Sequence, residues 1–122
     1  MVSLRVFEQL VAEAVEALPK YFLEKMDNVE VVVEEWPDRE TLRQAGVDRP
    51  VDLLGFYRGV PLTKRTHSYG LVLPDKITIY RRPILMRCRS RGEVRAMVHR
   101  VIRHELAHHF GLDDERLREL GV

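Results

Sequence analysis

An α+β fold is the class this sequence predicts, on three observations. An amphipathic helical pattern opens the chain, and compact β-branched stretches follow at Val29–Val33 and Ile77–Tyr80. A long helical pattern from Gly92 to Phe110 then leads to the C-terminus. A length of 122 residues predicts one domain spanning 1–122, with a modest core.

The first helix carries Leu4, Val6, Phe7, Leu10, Val11, Ala14, Val15 and Leu18 at helical spacing, with Ser3 as N-cap. Pro19 should kink or end it. Val29–Val33 reads as a buried strand that Trp36-Pro37-Asp38 breaks, and Arg39–Ala45 as a short helix stopped by Gly46. Val51–Tyr57 reads as a second strand, with Gly55 weakening it or allowing a bulge. Arg58–Ser68 is expected to be a loop or irregular hairpin, and Leu71–Leu73 a short strand before the turn signal Pro74-Asp75. Ile77–Tyr80 is the clearest strand, and Pro83 at its end suits an edge position, since proline cannot donate to a ladder. One helical turn is expected over Pro83–Arg87. In the long helix Val94, Met97, Val98, Val101 and Ile102 form the inner side. Gly111 is placed to end it in a left-handed conformation, before a short helix at Asp114–Leu120.

Composition narrows the function classes. Cys88 is the only cysteine, so no internal disulfide can form and a reducing compartment is expected. The first residues include Glu8, Glu13 and Glu16, unlike a secretory signal. No run of eighteen apolar residues exists, so no membrane span is expected. Together these predict a cytoplasmic protein. Net charge is +1, which names no partner. Eight arginines between Arg81 and Arg103, against the single acid Glu93, could form a phosphate-binding face. Arginine predominates throughout the chain, however, so nucleic acid is not the expected partner.

The chemistry concentrates at His104-Glu105-Leu106-Ala107-His108. Successive helical residues turn by about 100°, so His104 and His108 lie about 40° and one turn apart and can reach one metal ion. Glu105 lies between them in angle and can face the same space without ligating. Because they prolong the Val94–Val101 stripe, all three are expected to point toward the sheet and the interior. Burial of such groups without a metal would leave donors and acceptors short of partners.

A catalytic zinc usually takes three protein ligands. His109 lies about 100° round the helix from His108, His99 is similarly misaligned, and His67 sits in a distant loop. A left-handed Gly111 folds the chain back beneath the metal and brings residue 114 within reach. Asp114 is thus expected as third ligand, with Asp113 as the alternative and helix capping as the job of the other.

HELAHHFGLDD fits the extended signature H-E-x-x-H-x-x-G-x-x-D. With LVAEAVEALP, LLGFYRGVPL and LPDKITIYRRP, it makes nearly the whole chain resemble the small bacterial zincin-like metallopeptidase family. The resemblance implies a minimal zincin-like fold: a small mixed β-sheet, a backing N-terminal helix, and an active-site helix carrying HExxH under a cleft bordered by strand Ile77–Arg81. It implies one zinc ion per chain held by His104, His108 and Asp114, with Glu105 as general base. Unlike metzincins, the chain has no methionine after the motif; Met97, two turns upstream, reads as core.

Three functions follow as expectations. The first is a zinc metallopeptidase acting on a peptide or protein substrate, with the peptide paired to Ile77–Arg81 and Tyr80, Tyr69, His67 or Arg82 steadying the oxyanion. The second is a zinc-dependent endoribonuclease using the Arg81–Arg103 stretch. The third is a non-catalytic, metal-containing peptide-binding module. Cys88 is read as a buried thiol, with zinc ligation as an activity switch its alternative.

Overall fold

The computed structural model describes residues 2–59, 73–111 and 114–119, with the side chains of Asp114 and Leu117 outside the description. The expected Leu71–Leu73 strand and most of the Arg58–Ser68 loop fall outside it as well.

Helix α1 (Leu4–Glu16) starts where Ser3 Oγ accepts from the Val6 amide at 3.2 Å. Its buried residues Phe7, Leu10, Val11 and Ala14 recur at the period of one helical face. It ends at Ala17, because the residue before Pro19 must leave helical geometry, and α2 (Lys20–Lys25) restarts beyond the proline. Helix α3 (Arg39–Ala45) ends at the predicted Gly46 and is capped at its start by Asp38. Asp38 accepts from the Thr41 amide at 2.7 Å, and Gly46 adopts φ 72°.

Strands β1 (Val29–Glu34), β2 (Gly55–Arg58) and β3 (Asp75–Tyr80) form a mixed sheet in the order β1–β3–β2. β1 pairs parallel to β3 with Val31 opposite Ile77, and β2 pairs antiparallel with Tyr57 opposite the same residue. The expected edge position of Ile77–Tyr80 is therefore wrong: β3 is central. Ile77 and Ile79 are fully buried and Tyr80 nearly so, as suits a strand covered on both faces. Pro83 does not sit in the strand. It lies in the first turn of α4 (Arg81–Met86), where its missing N–H costs nothing, so Arg81 begins a helix. The second strand is also shorter than predicted, because Pro50–Asp52 forms a 3-10 turn opened by the proline.

Helix α5 (Arg91–His109) is capped by Ser90, whose Oγ accepts from the Glu93 amide at 3.2 Å. Val94, Val98, Val101, Ile102 and Leu106 bury its inner face against α1 and the sheet. A final helix, α6, spans Asp114–Glu119. The fold is thus α+β, with a mixed sheet, a backing N-terminal helix and a long helix carrying the HExxH motif. No helix among the described residues is long and apolar enough to cross a membrane.

Four of the eight arginines in the arginine-rich stretch are held by acids. Arg81 is buried, donating to Glu35 at 2.7 Å and to the Val2 carbonyl at 2.6 Å. Arg82 pairs with Glu35, Arg87 with Asp52 and Arg95 with Glu13. These acids lie in three separate stretches of the chain: α1, the 3-10 turn and the residue after β1.

Candidate metal centre

Close approach of α5 to the sheet begins at Gly55. A Cβ there would lie 2.7 Å from Val101 Cγ1 and 3.3 Å from the Thr78 carbonyl oxygen. Only a residue without a side chain lets the helix settle this near to β2. The contact also puts Glu105 beside the strand, 3.6 Å from the same point.

One turn of α5 then brings together the donor atoms of His104, Glu105 and His108, all within 4.8 Å of one another. The two imidazole rings are 4.2 Å apart between centroids and inclined by 54°. The expectation that all three point inward is corrected. His104 and His108 are exposed, and only Glu105 is half-buried. The buried stripe runs through Val94, Val98, Val101, Ile102 and Leu106, so both histidines lie to one side of it, open to solvent. Their exposure removes the argument from unsatisfied burial and leaves the clustering itself.

Glu105 is held more firmly. Its Oε1 accepts from the Tyr57 N–H at 3.1 Å. Burial pushes its carboxyl above the usual range, while the Tyr57 bond and His108 oppose the shift. A carboxylate desolvated in this way takes up a proton more readily than one in water.

His109 points elsewhere, as its angular position predicts. Its ring stacks on Tyr57 at 3.8 Å and 15°, and Nε2 lies 3.5 Å from Oδ2 of buried Asp75. The Tyr57 hydroxyl donates to that same oxygen at 2.7 Å. This cluster ties the end of the metal helix to β2 and β3. His99 stands apart from the cluster too.

Gly111 adopts φ 70°, the left-handed conformation the sequence predicts, and α6 begins at Asp114. The side chain of Asp114, all of Asp113, and the proposed oxyanion partners His67 and Tyr69 lie outside the described residues. Tyr80 is buried beside Thr41, and Arg82 pairs with Glu35; neither joins the donor cluster. Cys88 is packed in the core, where burial and Glu93 push its thiol pKa up, so it does not belong to the metal site.

Sequence reasoning missed the packing role of Gly55, the bond from Tyr57, and a cleft of about 410 Å³ beside His104. Leu53, Leu54, Gly55, Met97 and Val101 supply its apolar wall, and Arg100, His104 and Glu105 line it too. Met97 packs partly against the core, as expected, but also faces this cleft. The apolar pair Leu53-Leu54 before a glycine was the available signal. The border of the cleft is corrected as well: β2, not Ile77–Arg81, is the strand alongside it.

Nitrogen donors from two histidines with a nearby carboxylate suit zinc among the biological divalent ions, and the spacing fits a single ion. A family described as zincin-like metallopeptidase matches residues 26–122. Among solved structures, a conserved hypothetical protein from Thermus thermophilus is similar to this chain with a TM-score of 0.55 and 26% identity. The match covers 89% of this chain and 94% of that one. No functionally curated protein matches.

Proposed function

Because the chain belongs to the zincin-like metallopeptidase family, we propose that α5 carries the active centre of a zinc-dependent peptidase. His104 and His108 would hold one zinc ion, with Asp114 as third ligand and Asp113 as the alternative, and Glu105 would act as general base. The observation that carries this reading is the convergence of the His104, Glu105 and His108 donor atoms within 4.8 Å of one another, two of these residues, His104 and Glu105, also lining the cleft.

A zinc ion bound there would lower the pKa of a water ligand and polarise the scissile carbonyl. Glu105 then takes a proton from the attacking water on its carboxylate and passes it to the leaving amine. The Tyr57 amide fixes the direction of Oε1. Exposure of His104 and His108 leaves the outer side of the pair open to a polypeptide.

Alignment of that polypeptide falls to β2. The Tyr80 amide donates to the Leu54 carbonyl at 3.0 Å, so Leu54, Phe56 and Arg58 face β3 in the antiparallel ladder. The backbone groups of Gly55 and Tyr57 therefore point the other way, toward Glu105. A substrate lying along β2 passes beside the general base.

The test is the zinc content of dialysed protein, followed by peptide-library cleavage with Glu105→Gln as control. One equivalent of zinc per chain, cleavage by the wild type and none by the variant are expected. Absence of bound zinc, or cleavage by Glu105→Gln at the wild-type rate, would overturn the reading. A ribonuclease has less support, because four of the eight arginines that would form its surface, Arg81, Arg82, Arg87 and Arg95, are engaged by Glu35, Asp52 and Glu13.

A further inference from the structure

The sheet has a second edge, on the side away from the metal centre. The Asn28 carbonyl accepts from the Asp75 amide at 2.9 Å. Alternate residues of a parallel strand turn their backbone groups to the same neighbour. Residues 28, 30, 32 and 34 therefore face β3, and the N–H and C=O groups of Val31 and Val33 point outward. No described residue bonds to those outward N–H groups. Val31, Val32 and Val33 are only half-buried.

Beside this edge runs a groove of about 620 Å³ between α1 and β1. Val11, Val15, Met26 and Val29 give it an apolar lining, and exposed Glu8 and Glu16 also line it. On the opposite face of the strand, Glu30 and Glu34 are exposed. Lys76 stands opposite Glu30 on β3, and Tyr80 opposite Glu34. An acidic, apolar-floored strand edge thus occurs in a chain whose net charge is +1.

We infer that this edge binds an extended segment of a partner protein whose residues alternate between apolar and basic. Such a segment adds a fourth strand to the sheet through the outward groups of Val31 and Val33. Its apolar side chains enter the groove toward α1. Its basic side chains lie on the other face, next to Glu30 and Glu34, where opposite charges on neighbouring strands attract. Glu8 and Glu16 favour cations at the ends of the apolar set. A second copy of the chain fits less well. Any antiparallel register that uses these outward groups places Glu30 and Glu34 of both copies on one face of the joined sheet, like charge against like.

The test uses three fluorescent hexapeptides: alternating Lys-Val, alternating Glu-Val, and a block peptide of three lysines followed by three valines. Anisotropy should show saturable binding of the Lys-Val peptide. Affinity should fall roughly tenfold for the block peptide, which loses the alternation, and binding should vanish for the Glu-Val peptide. Hydrogen exchange at the Val31 and Val33 amides should slow on binding. Glu8→Lys/Glu16→Lys, both on an exposed helix face, should weaken the Lys-Val peptide while leaving the circular dichroism unchanged. Metal-free and zinc-loaded protein should bind alike, which separates this surface from the peptidase reading.

Equal binding of the alternating and block peptides would overturn the inference, as would protection confined to α5 or no binding at all. Dimerisation of the free chain in ultracentrifugation, with Val31 and Val33 protected in the dimer, would assign the edge to a second copy instead. The peptide comparison on wild-type protein decides the matter even if the double variant misfolds.

Discussion

The backbone N–H of Tyr57 donates to Oε1 of Glu105 at 3.1 Å, joining β2 to the metal helix across 48 positions of sequence. The bond orients a carboxylate that its surroundings disfavour in the ionised state, since burial raises its pKa. A carboxyl whose folded pKa is raised contributes its stability at low pH, and that contribution is lost as pH rises through the folded value. At neutral pH the ionised group therefore weakens the fold. Glu105→Gln keeps an acceptor for Tyr57 and removes the charge. Metal-free Glu105→Gln should be at least as stable as wild type at pH 7, read as its urea midpoint. A lower midpoint would contradict the assignment.

Gly55 sets the distance between helix and strand. Gly55→Ala forces a methyl group to 2.7 Å from Val101 Cγ1, which should cost about 1–3 kcal/mol. It should also weaken zinc binding, because the helix that carries both histidines must shift. Adding Val101→Ala makes room for the methyl, so the double variant should lose less stability than the two single losses combined. Strict additivity in denaturation would show that the two side chains do not collide.

Much of the fold and part of the site are legible in the sequence, for reasons of range. Ser3, Asp38 and Ser90 cap helices through bonds spanning three residues, and the spacing of His104 and His108 is equally local. Gly46 and Gly111 announce their left-handed turns. The edge expected for β3 comes from assigning Pro83 to the strand; the continuous burial of Ile77–Tyr80, Thr78 included, is what a doubly covered strand shows. Val51–Tyr57 reads too long because Pro50 starts a 3-10 turn. The Tyr57–Glu105 bond and the Asp75–Tyr57–His109 cluster are not legible, since each joins residues that only the tertiary fold brings together.

His99 predicts a pH dependence independent of metal. Burial lowers its pKa, Arg103 and Arg95 lower it further, and Glu13 opposes them. A histidine held neutral in the folded state contributes stability above its unfolded pKa, lost as pH falls through the folded value. Thermal midpoints of zinc-free protein should therefore drop as pH falls from about 7 to 5, across the ordinary histidine pKa. His99→Gln should flatten part of that slope. An unchanged slope would assign it to other groups.

Cys88 is 7% exposed, and both burial and Glu93 raise its thiol pKa. The thiolate is the reactive form, so alkylation by iodoacetamide at about pH 7.5 should be far slower in native than in urea-unfolded protein. Zinc should not change the native rate. Protection by zinc at native pH would restore Cys88 to the metal site.

The parallel partnership of β1 and β3 carries a cost in the order of assembly. Val29 pairs with Asp75 and Glu34 with Tyr80, so a chain emerging N-terminus first exposes its valine-rich strand long before the mate arrives. Until then the segment Val29–Glu34 is a sticky intermediate, shielded chiefly by Glu30 and Glu34. Closing so long a loop costs more entropy than forming the nearer β2–β3 ladder, so β1 is the strand expected to join the sheet last. The motif helix can coil early from local contacts, yet its seat against Gly55 exists only once the sheet is complete. The seating of the candidate metal-binding helix is thereby tied to the pairing of two strands that carry none of its three donor residues.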